Sequence, residues 1–231
     1  MASGLFTSES VTSGHPDKVC DAISDAIVDA CISVDKHARV AVETCVKGMP
    51  ECSHIILAGE VTLGPGITEP DYAQIARDTA ASIGYTSHDI GMDATSEEFC
   101  KVEAHITTQS KDIGDGVGGG GAGDQGIMFG YACCETESFK MLSGRYFPLA
   151  AALSQRLSRR LTTAREENIL PWARPDGKSQ VTVAYDDNGN ISWVETVIIA
   201  IQHDKRLKDQ FNGDIVAEQA YIKEQIRLHG V

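Results

Sequence analysis

An imidazole, a carboxylate and an ammonium follow one another closely in Gly14-His15-Pro16-Asp17-Lys18. At a helix N-terminus, where free N–H groups and the dipole favour anions, that trio is equipped to meet phosphate. Spacing alone favours a plainer arrangement, with His15 as a cap and Asp17 as a first-turn acid. Glu43 and Glu60 are a second candidate set, each placed among residues of strand character. A carboxylate buried there needs a cation or another partner, whereas on a solvated face it needs nothing. Further on, Gly121-Ala122-Gly123-Asp124-Gln125-Gly126 precedes the apolar Ile127-Met128-Phe129-Gly130-Tyr131. Glycines let a backbone approach a ligand closely, and Asp124 could hold an ammonium group. The same composition also serves as a simple connector. Lys178, in Arg174-Pro175-Asp176-Gly177-Lys178-Ser179, stands at the mouth of a strand, where it could meet phosphate or merely be solvated. Neither a GxxxxGKS/T phosphate loop nor a strand-bound GxGxxG is present, so the common nucleotide folds are not indicated.

These groups must be positioned by regular elements. Pro16 suits a first helical turn, and Val19, Ile23, Ala26, Ile27, Ala30 and Cys31 recur behind it at helical spacing. Arg39 to Lys47 alternates as a strand, with Val40, Val42, Thr44 and Val46 on one face. Ala41, Glu43 and Cys45 take its other face. His54 to Thr62 reads as the antiparallel partner, across a turn near Gly48-Met49-Pro50. Asp71 to Ile83 reads as a helix stopped by Gly84, and Phe99 to Thr108 as a strand. Leu149 to Glu167 is helical, and Gln180 to Tyr185 forms a hairpin with Ile191 to Ile201 around Asp187-Asn188-Gly189-Asn190. Asp214 to Leu228 is an amphipathic helical tail. Helices interleaved with sheets define an α+β protein.

Composition narrows the partners. The net charge of −13 argues against nucleic acid and anionic membrane, both of which reward a basic face. A triphosphate site would need cations from metals or from another chain. No apolar run approaches the roughly 20 residues of a membrane span, and residues 1–12 lack the pattern of an export signal. Seven scattered cysteines without a CxxC pair fit reduced thiols, so a cytoplasmic setting is expected.

Taken together and in order, these motifs resemble the S-adenosylmethionine synthetases. The resemblance is carried by Phe6-Thr7-Ser8-Glu9-Ser10-Val11, by the Gly14–Lys18 and Gly121–Tyr131 runs, and by Leu170-Pro171-Trp172 with Arg174 to Val181. It extends from Leu5 to about His203. It implies a reaction in which the sulfur of methionine attacks C5′ of ATP and expels triphosphate, which is then cleaved to pyrophosphate and phosphate. Carried over by resemblance, His15 and Lys178 are catalytic, and His15, Asp176 and Lys178 contact ATP. Glu60, Gln109 and Asp124 hold methionine, Asp17 binds Mg²⁺, and Glu43 binds K⁺. Residues 110–120 correspond to a gate over the site.

The family's chains are longer and have three interleaved α/β domains, so this fold is expected to be incomplete relative to them. Domains are expected at 1–130, including the gate, and at 131–231. The family's later motifs, one resembling PTGRFxxGGPxGDxGLTGRKI and one resembling GGGAFSGKDxxKVDRSAAY, do not occur. The resemblance therefore implies a complementary subunit that supplies them, within an oligomer whose site lies between subunits. The rival expectation is a non-catalytic regulatory or binding paralogue. Cys133 to Pro148 also departs from the family, being longer and of different composition.

Overall fold

The computed structural model describes residues 4–110 and 125–229. The chain forms two compact units, one of residues 16–129 and one in which residues 1–15 join residues 130–231. The first stretch of chain thus belongs to a unit otherwise built more than a hundred residues later.

In the 16–129 unit, α1 (Pro16–Val34) buries Val19, Ile23, Ile27 and Cys31, the stripe set by its helical spacing. β2 (Arg39–Lys47) pairs antiparallel with β3 (Ser53–Thr62), and β6 (Cys100–Thr107) runs parallel to β3 on its other side. Between β3 and β6 comes α2 (Tyr72–Ile83), followed by a minimal ladder of β4 (Thr86–Ser87) with β5 (Met92–Asp93). The Asp71 carboxylate caps α2 by accepting from the Gln74 amide, and Gly84 ends it at φ 120°. Both helices pack on the sheet face carrying Val42, Ile55, Leu57 and Val61. Ile23, Ile27, Ile55 and Leu57 are wholly buried, each contributing about 1.5–3 kcal/mol. Ala41, Glu43 and Cys45 are exposed on the opposite face, as the alternation requires.

In the other unit, β1 (Gly4–Val11), β7 (Ala173–Tyr185) and β8 (Ile191–His203) form an antiparallel sheet with β7 central. α3 (Leu149–Glu166) lays Leu149, Ala150 and Leu157 against Val181 and Val183. At its far end, Leu161 and Ala164 meet Leu170, Trp172 and Ile226 of α4 (Ile215–His229). Within this apolar layer Ser179 is fully buried; its hydroxyl lies 2.8 Å from that of Ser158 and 2.7 Å from the Ser154 carbonyl, so it is satisfied.

The α+β class is observed, and the expected helices, the β2–β3 pair and the turn of the β7–β8 hairpin fall within a few residues of their anticipated bounds. Two elements differ. β1 is a full strand not anticipated from its sequence, and β7 begins seven residues before the expected Gln180. Pro175 and Gly177 weaken strand character in that stretch. A register shift between Ala173 and Gly177 accommodates the missing proline N–H in a bulge.

Candidate functional site

Three of the predicted site residues are gathered in the unit built on β1 and β7. The chain leaves β1 at Val11 and turns sharply: Thr12 N donates to the Gly177 carbonyl at 2.9 Å. The buried Thr12 hydroxyl lies 2.7 Å from the Pro175 carbonyl and 3.2 Å from that of Gly177. His15 N closes the turn on the Thr12 carbonyl at 3.2 Å. Gly14 lies flat against Pro175; a Cβ there would come within 2.2 Å of the Pro175 Cβ. Only glycine fits that seat. The turn residues are thereby locked onto 175–177, which sets His15 beside Asp176.

Asp176 and Lys178 are two apart on β7 and so share a face. Burial raises the Asp176 carboxyl above its ordinary value, while the His15 charge and the Gly177 amide pull it partly back. Lys178 lies opposite Val11, and its ammonium is 2.6 Å from the Glu9 carboxylate, the next residue on that face of β1. The result is a strip in which imidazole, carboxyl, ammonium and a second carboxylate follow one another. An ammonium and an imidazole on a rigid sheet are the groups that can take up charge growing on a phosphate oxygen. Glu9 holds the ammonium in place. Sequence reasoning missed Glu9, Thr12 and the seat of Gly14, since the partners of all three lie far away along the chain.

The other unit holds a second group. Glu60 of β3 lies opposite Ala41 of β2 and beside Thr107 of β6, on the face turned away from the helices. It follows Gly59, which has φ 152° and whose Cβ would lie 2.0 Å from the Ala41 carbonyl, so strand contact here is closer than a side chain allows. Gln109 is tied in nearby: its backbone N–H donates to the Thr62 hydroxyl at 3.2 Å, and its side-chain amide oxygen accepts from Arg39 at 3.4 Å. Glu60, Thr62, Arg39 and Gln109 thus meet at one end of the sheet. Arg39, which sequence reasoning missed, brings a cation there. Glu43 is on the same face, opposite Ala58 and one register step from Glu60, and is exposed. Asp17 is exposed in the first turn of α1, and its neighbour Lys18 pairs with Asp21 at 3.3 Å. Asp124 and residues 111–120 of the expected gate lie outside the described residues.

Among the described residues no three His, Cys, Asp or Glu side chains converge on one point as a ready-made metal cage. Asp17 and Glu43 are single exposed carboxylates. As a donor set each fits a hard cation that takes its remaining oxygens from water or phosphate.

Residues 3–111 match the N-terminal domain of S-adenosylmethionine synthetase, and residues 119–229 match its central domain. The chain belongs to the S-adenosylmethionine synthetase family, of which it carries these two domains. Among its relatives is the S-adenosylmethionine synthase of Brachyspira hyodysenteriae (strain ATCC 49526 / WA1), 48% identical over 212 residues. That match covers 86% of this chain and 49% of the relative, so the chain spans about half the length of the curated relative it matches. Among the described residues no helix is long and apolar enough to cross a membrane.

Proposed function

We propose that this chain contributes to an ATP:methionine S-adenosyltransferase, and that turnover requires the family segment carrying the later motifs, supplied by a complementary polypeptide. The observation that supports this most is the convergence of distant motifs in one unit: His15, Asp176 and Lys178 brought together by the Thr12–Gly14 turn on β7. In this reading the methionine sulfur forms a bond to C5′ while the C5′–oxygen bond breaks. The electron pair leaves on the triphosphate oxygen and the sulfur becomes a sulfonium. His15 lies near that departing oxygen and donates a hydrogen bond as its charge grows. Lys178 exchanges Glu9 for a phosphate oxygen, and Asp176 orients His15. No protein nucleophile is required; alignment and charge stabilisation supply the acceleration. Glu60, Gln109 and Asp124 take the amino-acid part of methionine, with Arg39 holding the Gln109 amide. Asp17 would hold Mg²⁺ and Glu43 K⁺, cations that neutralise phosphate charge when bound.

Net charge supports the need for a partner: a chain at −13 whose Lys178 is already paired has few cations to spare for a triphosphate. We further propose an oligomer with the site between subunits, in a cytoplasmic setting. The test is S-adenosylmethionine formation from ATP, methionine, Mg²⁺ and K⁺, by this chain alone and co-expressed with a polypeptide carrying the missing motifs. Activity only in the pair is expected. Activity of this chain alone would refute the requirement for a partner. A stable but silent complex would instead favour a regulatory paralogue.

A further inference from the structure

The segment Cys133 to Pro148 is folded with its acids turned to its own backbone. Glu135 accepts from the Leu149 amide at 2.8 Å, at the head of α3. Glu137 accepts from the amides of Gly144 and Tyr146 at 2.7 and 2.9 Å, which holds its carboxyl below the usual range. Thr136, fully buried, donates to the Phe147 carbonyl at 2.6 Å. The outward positions are left to Phe139, Lys140, Met141, Arg145 and Tyr146, all exposed.

From α3, Arg156 reaches the Met141 sulfur at 3.9 Å, and Arg159 is exposed one turn further on. Elsewhere in this unit Arg160, Arg165, Arg174, Arg206 and Arg227 each meet a carboxylate. Lys140, Arg145, Arg156 and Arg159 make no salt bridge among the described residues. In so acidic a chain these four are cations that carboxylates of another molecule can meet. A groove of about 330 Å³ between α3 and the β7–β8 hairpin is lined by Arg156 and Arg160 and by the aliphatic Leu153, Leu157, Val181, Val194 and Val197.

We propose that this face docks an acidic amphipathic segment of a partner polypeptide, with apolar side chains in the groove and carboxylates on Lys140, Arg145, Arg156 and Arg159. Charge complementarity beside an aliphatic groove selects that occupant. A nucleic acid would use the cations but has nothing to place in an aliphatic groove. The inference stands independently of the catalytic reading, because no residue of that reading takes part.

The probe is a short synthetic helix with leucines at i, i+3, i+4 and i+7 and glutamates on their flanks. Its binding to the full chain is read by fluorescence anisotropy. Binding is expected to weaken with added salt and to fall on the order of tenfold in Arg156→Glu. Arg145→Glu and Lys140→Glu, at exposed loop positions, should each weaken it less and carry the test if Arg156→Glu misfolds. Val197→Glu should weaken it without changing the basic rim. Equal affinity for a lysine-flanked version of the peptide would overturn the proposal. So would unchanged affinity in the charge variants, or preferential binding of a duplex oligonucleotide or phosphatidylserine vesicles.

Discussion

The strip on β1 and β7 and the open face of β2, β3 and β6 carry comparable sets of polar residues, but they are built differently. On the first, the functional groups are part of the scaffold: Gly14 is flush against Pro175, the Thr12 hydroxyl is buried under the strand, and burial shifts the Asp176 carboxyl. On the second, Glu43 is exposed, and Gln109 is positioned by two long hydrogen bonds to Thr62 and Arg39. Under the proposed function, the difference separates two tasks. Groups that must face charge developing in a transition state work best when they are held rigid before it forms. Groups that receive a substrate or cation can complete their coordination when it arrives.

The comparison can be broken at its strongest point. His15→Ala and Lys178→Ala are expected to lower S-adenosylmethionine formation by the reconstituted pair on the order of 10²- to 10³-fold, with unfolding midpoints nearly unchanged. Retained turnover in either variant removes that residue from the charge-stabilising role. Gly14→Ala tests rigidity itself. The overpacking against Pro175 should cost about 1–3 kcal/mol in denaturant unfolding and reduce turnover by displacing His15. A turnover loss without a stability loss would mean that the turn is not seated as described.

On the open face the prediction has the other form. Gln109→Ala, and Arg39→Ala through it, should raise KM for methionine roughly tenfold while leaving KM for ATP and folding stability in place. An equal rise in both KM values would show that the two regions are not divided by substrate. The smallest effect concerns pH. The folded-state carboxyl of Asp176 titrates above its ordinary value of 3.8. Its relative stabilisation is therefore full below that value and lost as pH rises through the folded-state value. Asp176→Asn should flatten the dependence of unfolding free energy on pH across the acid range, and an unaltered profile would remove the buried charge as its source.

Legibility in the sequence followed the range of the interactions. α1 was plain because its apolar stripe and Pro16 are local signals, and α2 because Asp71 and Gly84 bracket it. The alternating faces of β2 correctly put Glu43 on the open side. The start of β7 was hidden because Pro175 and Gly177 read as loop residues. Their strand character comes from β1 and β8, whose partners are far away in sequence. For the same reason neither Glu9 beside Lys178 nor Arg39 beside Gln109 could be read locally: their separations are long and neither pair has a motif of its own. His15 and Asp176 were both visible as family motifs, but only the Thr12 and Gly14 contacts explain why they are neighbours.

The pairing of Gly4 with Tyr185 has a consequence for how the chain is made. β1 leaves the ribosome before the other elements described and acquires its first partner in β7 only when Lys178 has emerged, its last when Tyr185 has. Meanwhile residues 16–129 contain every strand and helix of their own unit and can collapse during synthesis. The early strand is then an unsatisfied edge on a nascent chain, with the closing contact delayed by a loop of high sequence separation. Its polar sequence, Thr7-Ser8-Glu9-Ser10, suits that interval, since a charged and hydroxylated edge resists pairing with other chains while it waits.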